Sequence, residues 1–152
     1  MKRRTALFSL TTGASAVLTG RAAFAQAALP QVLVFKSPTC GCCGAWVDHM
    51  KAAGFAVTVT EVDDTSVARR KYGMPDRFGS CHTAVVGGYV VEGHVPANDV
   101  RKLLAMKPLA IGLAVPGMPV GSPGMEMGSR KDPYQVLLVA RDGRERVFTS
   151  YR

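Results

Sequence analysis

The chain has 152 residues, 47% of them hydrophobic and 20% charged, with 19 basic against 11 acidic side chains and a formal net charge of +8. Length and composition fit one globular domain after any targeting segment and exclude a low-complexity or disordered chain. The charge is not gathered into a basic face interleaved with aromatics, so nucleic-acid binding is excluded as well.

The first 25 residues read as an export signal. Lys2, Arg3 and Arg4 give a basic start, Ala6 to Leu18 is an apolar and small-residue run, and Ala23-Phe24-Ala25 supplies a small-x-small cleavage pattern before Gln26. The run falls well short of the roughly 20 residues that span a bilayer, and no later segment comes closer. No stable membrane insertion is expected, and the predicted location is the periplasm. Arg3-Arg4-Thr5-Ala6-Leu7 partly resembles a twin-arginine motif, which leaves two export routes open. The segment holds four basic residues and no acid, so residues 26–152 carry 15 − 11 = +4 as one domain.

Gln31 to Lys36 is a short apolar run of strand type, broken by Ser37-Pro38-Thr39. A helix follows from about Cys42 to Ala53 and stops at Gly54, with Cys43, Val47 and Met50 on its core face. Phe55 to Val62 alternates as a second strand. Asp64 or Thr65 caps a second helix, Ser66 to Tyr72, which ends at Gly73. The basic run Arg69-Arg70-Lys71 lies in it and reads as a solvated face. Thr83 to Val86 and Tyr89 to Glu92 flank Gly87-Gly88 as a hairpin. Pro96 opens a third helix, with Val100, Leu103 and Leu104 on its apolar side, that stops before Pro108. The order is β-α-β-α-β-β-α, a thioredoxin/glutaredoxin-like α/β core over residues 31–107.

Val115 to Pro133 holds four Pro, four Gly and three Met in 19 residues. Missing donors and the ordering cost of glycine keep such a segment from forming a regular element. Tyr134 to Ala140 and Glu145 to Tyr151 flank Asp142-Gly143 as a second hairpin, read as an appendage over 134–151 that returns the Met-rich loop to the domain.

The chemistry concentrates at Cys40-Gly41-Cys42-Cys43, after the first strand and at the start of the first helix. A C-x-x-C at that junction suits a redox pair. The third thiol, Cys42, suits a thiophilic metal better. Export implies an oxidising compartment, where four cysteines have the capacity for two disulfides. A bond between the neighbours Cys42 and Cys43 is strained, so one bridge with free thiols, or a metal holding the thiols reduced, is expected. Where the fold usually begins its third strand with proline, this chain has Cys81-His82. The element order turns these two residues towards Cys40, Cys42 and Cys43.

Soft thiolates and thioethers select Cu(I), while a Cys3His set also suits tetrahedral zinc. Adjacent cysteines at a helix start project about 100° apart, which favours bridging different ions over sharing one. With the methionine excess this points to Cu(I), in more than one ion. The helix start also favours thiolates at Cys40, Cys42 and Cys43, which serves ligation and redox chemistry equally. Met118, Met125 and Met127 are either thioether ligands or loop packing. Met74 and Trp46 read as packing. His49 lies about 10.5 Å along the helix from Cys42 and reads as exposed or hydrogen-bonded. His94 is either a cap for the third helix or a ligand.

The motifs S-P-T-C-G-C-C-G-A-W-V-D-H-M, C-H-T-A-V-V-G-G-Y-V-V-E-G-H-V-P-A and G-L-A-V-P-G-M-P-V-G-S-P-G-M-E-M, in that order, resemble the CopG-like family of exported copper-resistance proteins over about residues 31–128. The resemblance implies a thioredoxin-like periplasmic domain that holds copper, in a cysteine-bridged multinuclear site with copper redox activity. Implied ligands are Cys40, Cys42, Cys43 and Cys81, with His82 beside the last. Met118 and Met125 match the family's loop motif, and His49 and His94 fall inside family motifs. Three functions compete. The first is a copper carrier that sequesters Cu(I) or passes it to other periplasmic copper-handling proteins. The second is a thiol–disulfide oxidoreductase using Cys40 and Cys43. The third is a zinc-stabilised structural domain.

Overall fold

The computed structural model describes residues 28–152. The expected export signal and its cleavage point lie outside the described residues. Seven strands form one sheet: β1 Val32–Lys36, β2 Val57–Glu61, β3 His82–Val86, β4 Tyr89–Glu92, β5 Ala110–Ala114, β6 Tyr134–Ala140 and β7 Glu145–Tyr151. Helices α1 Gly41–Ala52, α2 Thr65–Lys71 and α3 Ala97–Met106 connect them, with a single 3-10 turn at Asp76–Phe78. The strand order is β2-β1-β3-β4-β5-β6-β7. β1 runs parallel to β2 and β4 parallel to β5, and the other neighbours are antiparallel. No helix among the described residues is long and apolar enough to cross a membrane.

The period-2 alternation of the strands divides the core between the two faces of the sheet. Val32, Val34, Ala84, Val86, Val91 and Leu113 meet Trp46, Val47 and Met50 of α1 and Val100 and Leu103 of α3. Val90, Ala114 and Val139 turn the other way, onto Met74 and Phe78 below α2. Met74 and Trp46 are packing residues, as expected. Full burial of side chains of this size stabilises the fold by about 1.5–3 kcal/mol each.

The elements expected from the sequence are present, with ends shifted by a residue or two. Asp64 caps α2, accepting from the Ser66 N–H at 2.8 Å. Two readings need correction. The basic run on α2 is not wholly solvated: Arg69 is buried and pairs with Glu92 at 3.0 Å and Asp76 at 3.2 Å. The C-terminal hairpin is not an appendage either, because β6 pairs with β5 and continues the sheet. The link is β5, Ala-Ile-Gly-Leu-Ala, which lacks the β-branched run of a typical strand. Its small centre is required by close approach, since a Cβ on Gly112 would lie 1.7 Å from the Val90 carbonyl oxygen.

The hairpin is also held from the helix side. Asp99 of α3 is fully buried and accepts from Thr149 Oγ1 at 2.7 Å and Tyr151 Oη at 2.6 Å. Asp99→Ala strands both hydroxyls, and a loss of about 2–3 kcal/mol is expected. Tyr151→Phe removes one donor and should cost about 1 kcal/mol. Urea unfolding reads both, and unchanged midpoints would mean that apolar packing alone docks the hairpin.

Candidate metal centre

The first half of the site is made by the β1–α1 junction. Ser37-Pro38-Thr39 ends the strand, and Cys40 takes the N-cap position with extended backbone and no side-chain cap. Its carbonyl accepts from the Gly44 N–H at 3.3 Å, the first bond of the helix. Residues three apart share a helix face, and here Cys40 and Cys43 are joined as a disulfide. Cys43 is fully buried and Cys40 half-buried. Cys42 is free and half-buried, with its sulfur 3.5 Å from that of Cys40. The expectation of one bridge plus free thiols is therefore met.

The second half comes from β3. Antiparallel pairing sets His82 opposite Lys36 at the end of β1. That register lays Cys81 beside the helix start, with its sulfur 3.9 Å from Cys42 Sγ. Cys43 Sγ lies 3.5 Å from the Cys81 carbonyl oxygen. The four sulfurs all fall within 4.8 Å of one another. The splay expected between Cys42 and Cys43 thus does not keep their sulfurs apart. With the Cys40–Cys43 bond reduced, four sulfurs gathered this closely suit one tetrahedral ion, whose sulfurs would be ~3.8 Å apart at ordinary metal–thiolate distances, as well as several bridged ions.

Two imidazoles extend the centre. Ring nitrogens of His82 and His94 join Cys81 Sγ in a second group within 4.8 Å, so Cys81 belongs to both sets. His94 is not a helix cap, because the cap position is Pro96. Its Nδ1 lies 2.8 Å from the Pro123 carbonyl and its Nε2 lies 3.0 Å from Cys81 Sγ. A carbonyl only accepts, so Nδ1 carries the proton and Nε2 presents a lone pair to the sulfur. A hydrogen bond of this kind at the far nitrogen orients metal-ligating histidines. His82 is fully buried, its Nδ1 3.4 Å from Cys81 Sγ and its ring centroid 4.4 Å from that of Trp46. Its Nε2 has no hydrogen-bond partner.

Burial dominates the electrostatics. It pushes the His82 pKa down to about 3, helped by the neighbouring His94, and lowers His94 as well. Burial and the adjacent Cys42 push the Cys81 thiol up to about 12. Burial thus favours the uncharged forms of Cys81, His82 and His94.

The remaining sequence candidates fall around this cluster. His49 does not reach it, and its Nε2 accepts from the Ala97 N–H at 3.0 Å, capping α3. Met118 and Met127 are exposed and Met125 is half-buried. The loop bearing these three thioethers is bound to the site. Ser80 donates to the Gly117 carbonyl, His94 to that of Pro123. Gly124, at φ +86°, sits so close that a Cβ would lie 2.8 Å from both the Cys42 carbonyl oxygen and the Trp46 nitrogen.

Sequence reasoning missed the support beneath Cys81. Buried Glu92 accepts from Arg69 at 3.0 Å and the Ser80 N–H at 2.8 Å through Oε1, and from Thr83 Oγ1 at 2.6 Å through Oε2. A signal was present, since Glu92 follows Val90 by two residues in a strand whose Val90 face is buried. Nothing in the sequence singles out the Pro123 carbonyl.

The depressed His82 pKa fixes the sign of an acid effect in metal-free protein. On acidification the unfolded chain protonates near pH 6.5 while the folded ring stays neutral to about pH 3. Stability from the neutral ring is whole above pH 6.5 and drains away as pH falls through that window, by about 1.4 kcal/mol per pH unit for one proton. His94 and His49 act in the same direction. Urea unfolding between pH 7 and pH 4 should show a steeper loss for wild type than for His82→Gln, and equal slopes would mean that the folded ring takes up the proton.

Comparison with known proteins places this arrangement. A family model described as a protein of unknown function, DUF411, matches residues 78–125, from the end of the 3-10 turn through Cys81, His82, His94 and into the Met-rich loop. A solved structure named copper resistance protein CopG, form 2, is similar with 46% sequence identity and a TM-score of 0.78, over 82% of this chain and 99% of that one. Form 1 of the protein so named is similar with 48% identity and a TM-score of 0.76, over 80% and 98%. No curated protein matches the chain. With nearly the full length of those structures covered at close to half identity, the chain belongs to the CopG-like family of copper-resistance proteins.

Proposed function

We propose that the protein is a periplasmic copper-binding protein that takes up Cu(I) at the Cys40, Cys42, Cys43 and Cys81 cluster and sequesters it or hands it on. The observation that carries this reading is the convergence of four sulfurs from segments 38 residues apart, with the His94 Nε2 lone pair aimed at the shared Cys81. Soft donors in that number favour Cu(I), and the imidazoles add ligands that both Cu(I) and zinc accept. Cys81 stands between the thiol group and the two histidines, which suits it to bridging in a multinuclear site. His82 and His94 complete the proposed ligand set, with Met118 and Met125 as thioether donors from the loop once it rearranges. Cycling between Cu(I) and Cu(II) is a natural extension for a centre containing both thiolate and imidazole. The order β1-α1-β2-α2-β3-β4-α3 supports reading this part of the sheet as thioredoxin-like, with the site at the β1–α1 junction.

The Cys40–Cys43 disulfide withholds two of the four thiolates, so full loading requires a two-electron reduction first. The same disulfide favours a second reading, a thiol–disulfide oxidoreductase using that pair.

Anaerobic titration of reduced, metal-free protein with Cu(I) against a colorimetric chelator tests the first reading. Tight binding is expected, at least tenfold weaker in Cys42→Ser/Cys81→Ser and reduced in stoichiometry when the disulfide is left intact. Binding unchanged by those substitutions would end it. Zinc retained instead at one equivalent per chain, with a large fall in melting temperature on chelation, would favour a structural zinc domain. Insulin reduction by metal-free protein that survives Cys42→Ser and Cys81→Ser would favour the oxidoreductase.

A further inference from the structure

The two free thiols are not spectators of the disulfide. Cys42 Sγ lies 3.5 Å from Cys40 Sγ on one side and 3.9 Å from Cys81 Sγ on the other. The four sulfurs form one cluster within 4.8 Å, in which Cys42 touches both the Cys40–Cys43 disulfide and the second free thiol. Thiol–disulfide exchange needs a thiol in contact with a disulfide sulfur and a resolving thiol behind it. Both conditions are met within this one chain. The nucleophile and the leaving group differ in exposure: Cys42 is half-buried beside Cys40, while Cys43 is fully buried with its sulfur 3.5 Å from the Cys81 carbonyl oxygen. When Cys43 leaves as a thiol, that carbonyl 3.5 Å away can accept its S–H.

We propose that the four cysteines form an internal disulfide relay that shifts the bond from Cys40–Cys43 to Cys42–Cys81 without any external oxidant. In the first step Cys42 sulfur, its proton released to solvent, attacks Cys40 sulfur. The Cys42–Cys40 bond forms, the Cys40–Cys43 bond breaks, and Cys43 takes up a proton. In the second step Cys81 sulfur, passing its proton to the His94 Nε2 3.0 Å away and from there to solvent, attacks Cys42. The Cys81–Cys42 bond forms, the Cys42–Cys40 bond breaks, and Cys40 is protonated. One disulfide and two thiols are present before and after, so electrons and protons balance. The last bond requires the Cys42 and Cys81 sulfurs to close by ~2 Å, within reach of side-chain rotation.

The consequence is an activity that needs no metal. In the resting isomer the thiols on offer are Cys42 and Cys81, and in the shifted isomer they are Cys40 and Cys43 at the helix start. A small thiol such as glutathione, or a partner dithiol protein, that attacks half-buried Cys40 or Cys42 thus exchanges electrons with all four sulfurs. The relay does not rest on the copper reading.

The test uses metal-free protein in a chelator, equilibrated in glutathione buffers of graded potential, quenched in acid, alkylated and mapped by mass spectrometry. In molecules with one disulfide, Cys42–Cys81 and Cys40–Cys42 linkages are expected beside Cys40–Cys43, each in roughly one molecule in ten or more. Cys43→Ser should trap Cys42–Cys81 or Cys40–Cys42, and Cys81→Ser should retain only the Cys40-centred linkages. The relay is overturned if Cys42 and Cys81 are both alkylated in every one-disulfide molecule of wild type, and three free thiols persist in Cys43→Ser at potentials where wild type is oxidised. Because copper is excluded, failure here leaves the Cu(I) titration unaffected, and failure of that titration leaves the relay standing.

Discussion

The antiparallel pairing of β3 with β1 is the constraint on which the centre depends. It sets His82 across from Lys36 and so brings Cys81 to the start of α1. A slip of one residue would turn His82 towards α2 and Thr83 towards Trp46, because strand side chains alternate between faces. The alternation now separates two chemistries. His82 meets Trp46 on the α1 side, while Thr83 turns to Glu92 and Arg69 on the other. The ion pair beneath the sheet and the sulfur cluster at its end are thus fixed by the same register.

Glu92 and Arg69 deserve their burial through what they hold. The Glu92 carboxylate is satisfied at both oxygens, and one of its donors is the Ser80 backbone. Desolvation still raises its pKa despite those partners. A buried pair of this kind adds little net stability compared with apolar packing, yet breaking it by removing one partner is strongly destabilising. Its value lies in fixing the turn before Cys81, where Ser80 also holds the loop at Gly117.

Much of this was legible in the sequence. Strong periodicity and turn signals locate six of the seven strands and all three helices, and the element order alone puts Cys81-His82, at the β3 start, opposite the helix-start cysteines. Strand β5 was hidden because close packing against Val90 demanded glycine where a strand former would advertise itself. The burial of Arg69 was hidden for a related reason: its partner Glu92 lies 23 residues away, and a local basic run carries no trace of that pairing. His49 and His94 look alike in sequence, yet one caps a helix and the other faces a sulfur. Tertiary neighbours alone distinguish them.

The bond from His94 to the Pro123 carbonyl spans 29 residues and selects which ring nitrogen stays bare. The Pro- and Gly-rich stretch around Pro123 looks like a spacer, where insertions are usually tolerated. Here its length has a chemical meaning. A residue added between Val115 and Pro123 would shift the acceptor, free the imidazole to adopt its other tautomer, and leave the fold intact while blunting the donor that faces Cys81.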